Sequence, residues 1–361
     1  MAEGASVAVI ASTTRSIRLE GPERAELVEG PVPRPGLGEV LVEVAAAGLC
    51  GSDLELYEGR RPEGYYRYPV VPGHEWAGTV AALGPGAGDR TFGPGPDDRI
   101  RIGDRVVAEG FRRCGRCARC REGRTNLCLA PYAETGFTHP GAFSDYVVVP
   151  ADLLHRLPAG TDLEHAALLE PAACVAAGLL ASPPRPGSRV AVIGAGTLGL
   201  LATAMARLHS PAELVVLDPR ADRRDVARRL GATEAIAPPA DGPPALAADL
   251  VVEAAGIGTT VPAALAAARR GGSVIILGIA GRGEVTLDPD LLSIGNLSVQ
   301  GIFGAPSAAW QHVVRLFAAG LLETGPLISH RLALGGYHEA LDLVGQSGTG
   351  KVLLVPRNGH G

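Results

Sequence analysis

The chain has 361 residues, 46% of them hydrophobic, with 33 Lys and Arg against 38 Asp and Glu and a formal net charge of −5. That length exceeds what one hydrophobic core usually serves, and the apolar content is ample for two packed domains. An acidic balance argues against a nucleic-acid or anionic-membrane partner, and no apolar run is long enough to span a bilayer, so the expectation is a cytoplasmic protein.

From Val7 to about Val44 the chain reads as short β segments broken by Gly and Pro. Glu39-Val-Leu-Val-Glu-Val44 alternates polar and apolar as a half-buried strand should, which predicts an antiparallel, barrel-like first domain. Cys50, His74 and Glu75 follow within one short span. They offer sulfur, nitrogen and oxygen to a zinc ion, and three protein ligands leave a fourth position open for chemistry. Gly78-Thr-Val-Ala-Ala-Leu83 and Asp104-Arg-Val-Val-Ala108 continue the strands, and the Gly- and Pro-rich stretch from Gly84 to Asp98 reads as a surface loop.

Four of the six cysteines lie together: Cys114, Cys117, Cys120 and Cys128, spaced C-x2-C-x2-C-x7-C. Four thiolates on a tight loop can surround one zinc tetrahedrally with no position left over, so this site is expected to be structural. The interleaved Arg112, Arg113, Arg116, Arg119, Arg121 and Arg124 suggest a solvated lobe surface, since no recognition helix follows. Lys351 is the only lysine, which leaves little scope for lysine-based covalent chemistry.

After a strand at Phe143–Val149 the character changes. Thr161-Asp-Leu-Glu164 matches a capping box and opens an Ala- and Leu-rich helical crossing to Leu180, on which Glu170 and Cys174 stand four apart. Arg189-Val-Ala-Val-Ile193 then runs into Gly194-Ala-Gly196-Thr197-Leu198-Gly199 and a helix to Arg207. Leu214-Val-Val-Leu-Asp218 ends in a carboxylate about twenty residues on. Strand, glycines, helix and acid together predict a dinucleotide site. Asp218 would bind the ribose hydroxyls and repel a 2′-phosphate, which favours NAD over NADP, although Arg220, Arg223 and Arg224 stand nearby. The βα alternation continues through Ala248–Ala255, a helix near Val261–Arg270, Gly272–Leu277 and Leu297–Gly301, as in a doubly wound parallel sheet. A helix at Trp310–Leu321 and a strand at Lys351–Val355 are expected to return to the first domain. Gly345–Lys351 approaches a phosphate-loop pattern, but Val352 replaces the magnesium-binding hydroxyl and a strand follows, so it is read as a turn.

With Gly-His-Glu-x-x-Gly-x-Val at Gly73–Val80, the four-cysteine lobe and the glycine loop in this order, the sequence resembles the zinc-dependent medium-chain alcohol and polyol dehydrogenases over nearly its whole length. The resemblance implies an α/β protein with a GroES-like β-barrel catalytic domain (1–160), a Rossmann NAD-binding domain (161–304) and a C-terminal return (305–361). It also implies an active site in the cleft between the domains and a homo-oligomer, dimer or tetramer. Cys50 and His74 match the catalytic zinc pair, and Ser52 matches the hydroxyl that passes the substrate proton onward. Glu75, or Glu170 of Leu169-Glu170-Pro171, completes the metal shell in the sorbitol- and threonine-dehydrogenase-like branch. Glu55 stands near the place of a relay histidine. The implied reaction takes hydride from a small-molecule alcohol to NAD, with one catalytic and one structural zinc per chain. Tyr68–Trp76 and Gly136–Gly141 look like the corresponding segments of amino-cyclitol dehydrogenases of aminoglycoside biosynthesis. A threonine-dehydrogenase-like activity, and a non-catalytic relative keeping only the structural zinc, are the alternatives.

Overall fold

The strand predicted at Glu39 lies at the centre of the first half of the molecule. The structure, a computed structural model, describes residues 10–92, 98–239, 245–279, 285–346 and 348–356. Two units partition it, Met1–Glu170 with Ile328–Gly361, and Pro171–Leu327. In the first, β1 (Thr13–Gly21) and β2 (Arg24–Pro31) form an antiparallel hairpin. β3 (Glu39–Gly48) pairs antiparallel with both β4 (Glu75–Leu83) and β6 (Tyr146–Pro150), and β5 (Arg105–Ala108) joins β4 to β7 (Leu154–Arg156). The alternation of β3 is used as expected: Val40, Val42 and Val44 enter one core with Trp76, Val80, Val106, Phe143 and Val147. Gly78 is required where β4 crosses β3, because a Cβ there would lie 2.2 Å from the Glu43 carbonyl oxygen.

The second unit is a six-stranded parallel sheet: β8 (Arg189–Ile193), β9 (Glu213–Leu217), β10 (Glu234–Ile236), β11 (Ala248–Glu253), β12 (Ala268–Ile276) and β13 (Ser298–Gly301). Their spatial order is β10-β9-β8-β11-β12-β13, with every pair parallel. This is the 3-2-1-4-5-6 winding of a dinucleotide-binding sheet, with the order reversing beside β8. The central strands β8, β9 and β11 read as near-continuous Val, Leu and Ile runs because both faces are covered. The helix expected to Arg270 ends at Ala267, where Ala268 already begins β12.

The chain then re-enters the first unit through β14 (Ile328–Leu332) and β15 (Lys351–Leu354), giving the sheet order β14-β15-β3-β4-β5-β7. Three local features differ from the sequence reading. The cap before Leu163 is Asp162, whose Oδ1 accepts from the Glu164 and His165 backbone N–H groups, while Thr161 Oγ1 donates to the Pro158 carbonyl. The crossing is two helices, Leu163–Ala166 and Leu169–Ala181. The first unit therefore extends to Glu170, beyond the expected boundary at 160. The helix Ser307–Ala318, expected in the returning segment, belongs to the second unit. Among the described residues no helix is long and apolar enough to cross a membrane.

Gly199 shows how tightly the glycine loop is built, since a Cβ there would stand 1.7 Å from the Gly194 carbonyl oxygen. Gly199→Ala is expected to lower stability by about 2–4 kcal/mol, measured by urea unfolding. An unchanged midpoint would contradict this close approach.

Candidate active site

In the first unit the helix Gly51–Tyr57 begins directly after β3, with Cys50 as its N-cap residue. The third helical position is Asp53, whose Oδ2 accepts the Cys50 backbone N–H at 2.9 Å and so anchors the cysteine at the helix start. Asp53 is wholly buried, and its Oδ1 stands 3.3 Å from His74 Nδ1 without hydrogen-bond alignment. His74 and Glu75 arrive from the other side at the start of β4. The ligand atoms of Cys50, His74 and Glu75 all lie within 4.8 Å of one another.

This donor set fits a zinc ion. Burial by itself would depress the His74 pKa, but the Asp53 carboxylate, with Glu170 adding charge, holds it well above the ordinary imidazole value. A field that favours a proton on that ring also favours a metal cation there. Glu75 Oε2 accepts from Lys351 Nζ at 2.5 Å, and the same ammonium donates to the Leu49 carbonyl at 2.9 Å. Burial lowers the Lys351 pKa, but Glu75 and Cys50 raise it further, so the ammonium stays charged. Gly48 leaves room for the carboxylate, since a Cβ there would sit 2.5 Å from Glu75 Oε2.

Ser52 and Glu55 share the helix Gly51–Tyr57, three positions apart and half-buried, hence on one face of it. Glu170 opens the helix Leu169–Ala181 and lies outside the 4.8 Å cluster, although its charge reaches His74 and Glu134. Cys174, one turn later, is half-buried and joins no ligand cluster among the described residues.

Sulfur atoms of Cys114, Cys117, Cys120 and Cys128 also lie within 4.8 Å of one another, with Cys117 and Cys128 at 3.9 Å. The Cys114 N–H points at Cys128 Sγ (3.3 Å) and the Leu129 N–H at Cys117 Sγ (3.4 Å). Backbone donors, Leu129 foremost, bring the Cys117 thiol down to about 6, whereas burial and then Cys117 push Cys120 up to about 12. Four sulfurs this close cannot all ionise without a cation among them, and a bound zinc would supply that charge.

In the second unit Gly194 and Gly196 turn the chain from β8 into the helix Thr197–Arg207, whose first turn is Thr197, Leu198 and Gly199. The backbone N–H groups at such a helix start suit a pyrophosphate. Asp218 follows β9 and is buried, its Oδ2 accepting from Ala195 N (2.8 Å) and its Oδ1 from Arg220 N (2.9 Å). Arg220 Nε is 3.5 Å from the same carboxylate, Arg223 Nη1 donates to the Ala195 carbonyl at 3.3 Å, and Arg224 Nη1 donates to the Asp218 and Pro219 carbonyls. Asp218 thus ties the glycine loop to the end of its neighbouring strand.

Sequence reasoning assigned no site role to Asp53, Lys351, Arg61, Tyr132 or Glu134. Two of them carried a signal: Asp53 sits at capping distance from Cys50, and Lys351 is the only lysine. The last three are brought to His74 by loops, and no local pattern marks them.

Family models match the chain over residues 36–159, for the alcohol dehydrogenase GroES-like domain, and over 197–319, for zinc-binding dehydrogenase. An L-threonine 3-dehydrogenase of Pyrococcus horikoshii is 34% identical over 343 residues, covering 92% of this chain and 95% of that protein. A sorbitol dehydrogenase of Bacillus subtilis is 31% identical over 346 residues, covering 93% and 92% respectively. The cobalt- and zinc-bound thermostable alcohol dehydrogenase of Pyrobaculum aerophilum superposes with a TM-score of 0.83 at 29% identity, over 95% of this chain and 100% of that one.

Glu134, beside His74, yields a pH test. Burial pushes its carboxyl from 4.5 up to about 7, against the opposing His74 and Arg61 charges. The folded state therefore keeps this proton where the unfolded chain has released it. Its contribution to stability is complete below the unfolded value and is lost as the pH rises through the folded one. Between roughly pH 5 and pH 8 the wild type should lose up to about 3 kcal/mol relative to Glu134→Gln, read from urea midpoints at each pH. Parallel profiles for the two proteins would mean that folded Glu134 ionises like a free carboxyl.

Proposed function

The chain belongs to the zinc-dependent medium-chain alcohol dehydrogenase family, and on that premise we propose that it oxidises a secondary alcohol of a polyol or amino-cyclitol to a ketone with NAD as hydride acceptor. The observation that carries this reading is the convergence of Cys50, His74 and Glu75 at the buried Asp53. Bound zinc would supply Lewis acidity to a substrate hydroxyl, lowering its pKa toward that of the surrounding acids. Asp53 holds the helix start and the imidazole in register for that role. Ser52 receives the hydroxyl proton, and Glu55, on the same helix face, relays it toward solvent. The Gly194–Gly199 loop and Asp218 would hold a dinucleotide, which when bound would supply the hydride acceptor.

For the third metal ligand the proposal takes Glu75, because it lies inside the cluster and Lys351 offsets its charge; Glu170 acts on His74 from further out. The amino-cyclitol reading is supported by Tyr68–Trp76 and Gly136–Gly141. These segments pack together beside His74, with Gly141 N donating to the Val71 carbonyl at 2.7 Å and Ala142 N to the Gly73 carbonyl at 2.8 Å. The threonine dehydrogenase relatives favour an open-chain amino alcohol as the second reading. A second copy of the chain is the proposed partner. All four residues of β13, the sheet's outer strand, are exposed, and the unpaired backbone groups of such an edge suit pairing with another strand. An aminoglycoside-type biosynthetic role in the cytoplasm is consistent with this chemistry.

A panel of cyclitols, polyols and L-threonine, followed by NADH absorbance, tests the substrate: turnover of L-threonine with none of the cyclic alcohols would reverse the two readings. Glu75→Gln should reduce the metal content from two zinc per chain toward one, while Glu170→Gln keeps both; the opposite pattern would exchange their roles. Asp218→Ala is expected to shift the NADH to NADPH affinity ratio by about tenfold or more toward NADPH, measured by fluorescence titration. A wild type that binds both equally would remove Asp218 as the discriminating group.

A further inference from the structure

Two ionisable side chains that the reaction above does not use, Arg61 and Glu134, are buried in the first unit at 8% and 4% exposure, and above about pH 7 both carry charge. A buried ion pair is weak evidence for stability, because desolvating two charges offsets their attraction, and apolar replacements often fold as well. Its place in the molecule gives it another purpose. Arg61 Nε donates to the Tyr65 carbonyl at 2.9 Å, and Nη2 donates to Tyr132 Oη at 2.9 Å and stands 3.6 Å from Glu134 Oε2. The Tyr132 hydroxyl in turn donates to Glu134 Oε2, so phenol and guanidinium meet on one carboxylate oxygen.

The guanidinium so held sits over the face of Phe137, with Cζ 3.5 Å from the ring centroid. Phe137 is itself 4.7 Å from the His74 ring, centroid to centroid, at an interplanar angle of 39°. The loop carrying Glu134 and Phe137 packs directly on the segment that carries His74, since a Cβ on Gly136 would meet the Gly73 carbonyl at 2.9 Å and His74 N at 3.1 Å, and Arg67 N donates to the Phe137 carbonyl at 3.0 Å. Asp53 faces one imidazole nitrogen but leaves the ring free to tilt about that axis. Phe137 bears on its face, and Arg61 backs Phe137.

We propose that Arg61 and Glu134 are positioning residues for the candidate zinc site: their ion pair presses Phe137 onto His74 and fixes the imidazole plane presented to the metal. This rests on the assignment of His74 as a zinc ligand. A stack of this kind restricts a ligand as an outer-shell hydrogen bond does, and loss of such support typically weakens metal binding by about tenfold or more.

The double variant Arg61→Met/Glu134→Leu removes both charges together and leaves neither unpaired in the core. Zinc content, the rate of zinc transfer from the His74 site to a chelator, and the visible absorption of the cobalt(II)-loaded protein are measured beside wild type, with His74→Ala identifying which zinc is which. The double variant should fold, with a thermal midpoint within about 5 °C of wild type, yet release the His74-site zinc about tenfold faster. Its cobalt band should shift as well. Arg61→Lys, which keeps the charge but not the planar face, should fall between. Phe137→Leu, read in the same way, decides the matter if the double variant does not fold. Release rates and cobalt spectra equal to wild type in the folded variant would overturn the clamp alone. A wild type holding only the four-cysteine zinc would overturn the metal assignment and the clamp with it.

Discussion

Asp53 is the constraint on which the first unit's chemistry depends. One of its oxygens accepts the Cys50 N–H, and the other faces His74 across 3.3 Å. Through a single buried carboxylate, the start of a helix and the start of a strand are held at one spacing. The β3–β4 ladder, which pairs Gly48 with Glu75, brings the two elements together, and the carboxylate fixes Cys50 at the helix start opposite His74. The cost of burying an unpaired acid is several kcal/mol, so its presence implies a compensating positive charge nearby, whether a proton on His74 or a metal cation.

The same balance of charge recurs around it. Lys351 returns from the far end of the sequence on β15 to sit against Glu75, and Arg61 answers Glu134. Glu75 and Glu134 are thereby each set against a specific cation, and removing Lys351 would strand a buried charge at a cost of about 3–5 kcal/mol. In the four-cysteine lobe no side-chain cation performs this task. The opposed shifts of Cys117 and Cys120 show sulfurs competing for charge, which a bound zinc relieves.

The second unit solves a different problem, the close approach of backbone to backbone. Gly199 sits where a side chain would strike Gly194, and Asp218 is drawn inward by the Ala195 and Arg220 N–H groups. The carboxylate expected to read the ribose thus also braces the glycine loop. Arg220, Arg223 and Arg224 are packed around it through backbone carbonyls as well as through charge.

Periodicity, cysteine spacing and glycine pattern made the two kinds of sheet, both clusters of candidate metal donors and the strand–glycine–helix turn legible in the sequence, because each follows from pleat, ligand spacing or backbone clearance. Boundaries were read less well: Asp162 took the cap from Thr161, and Glu170 stayed with the first unit because the short helix Leu163–Ala166 packs against β3 and β4. Only tertiary structure decided that Lys351 neutralises Glu75, and that Arg61, Tyr132 and Glu134 converge behind Phe137. These contacts span gaps of up to 276 residues, and no one-dimensional pattern encodes them. What the sequence by itself determined is which chemistries the chain contains. Which charges face one another was settled by folding, because a buried charge must find its partner wherever the chain brings one.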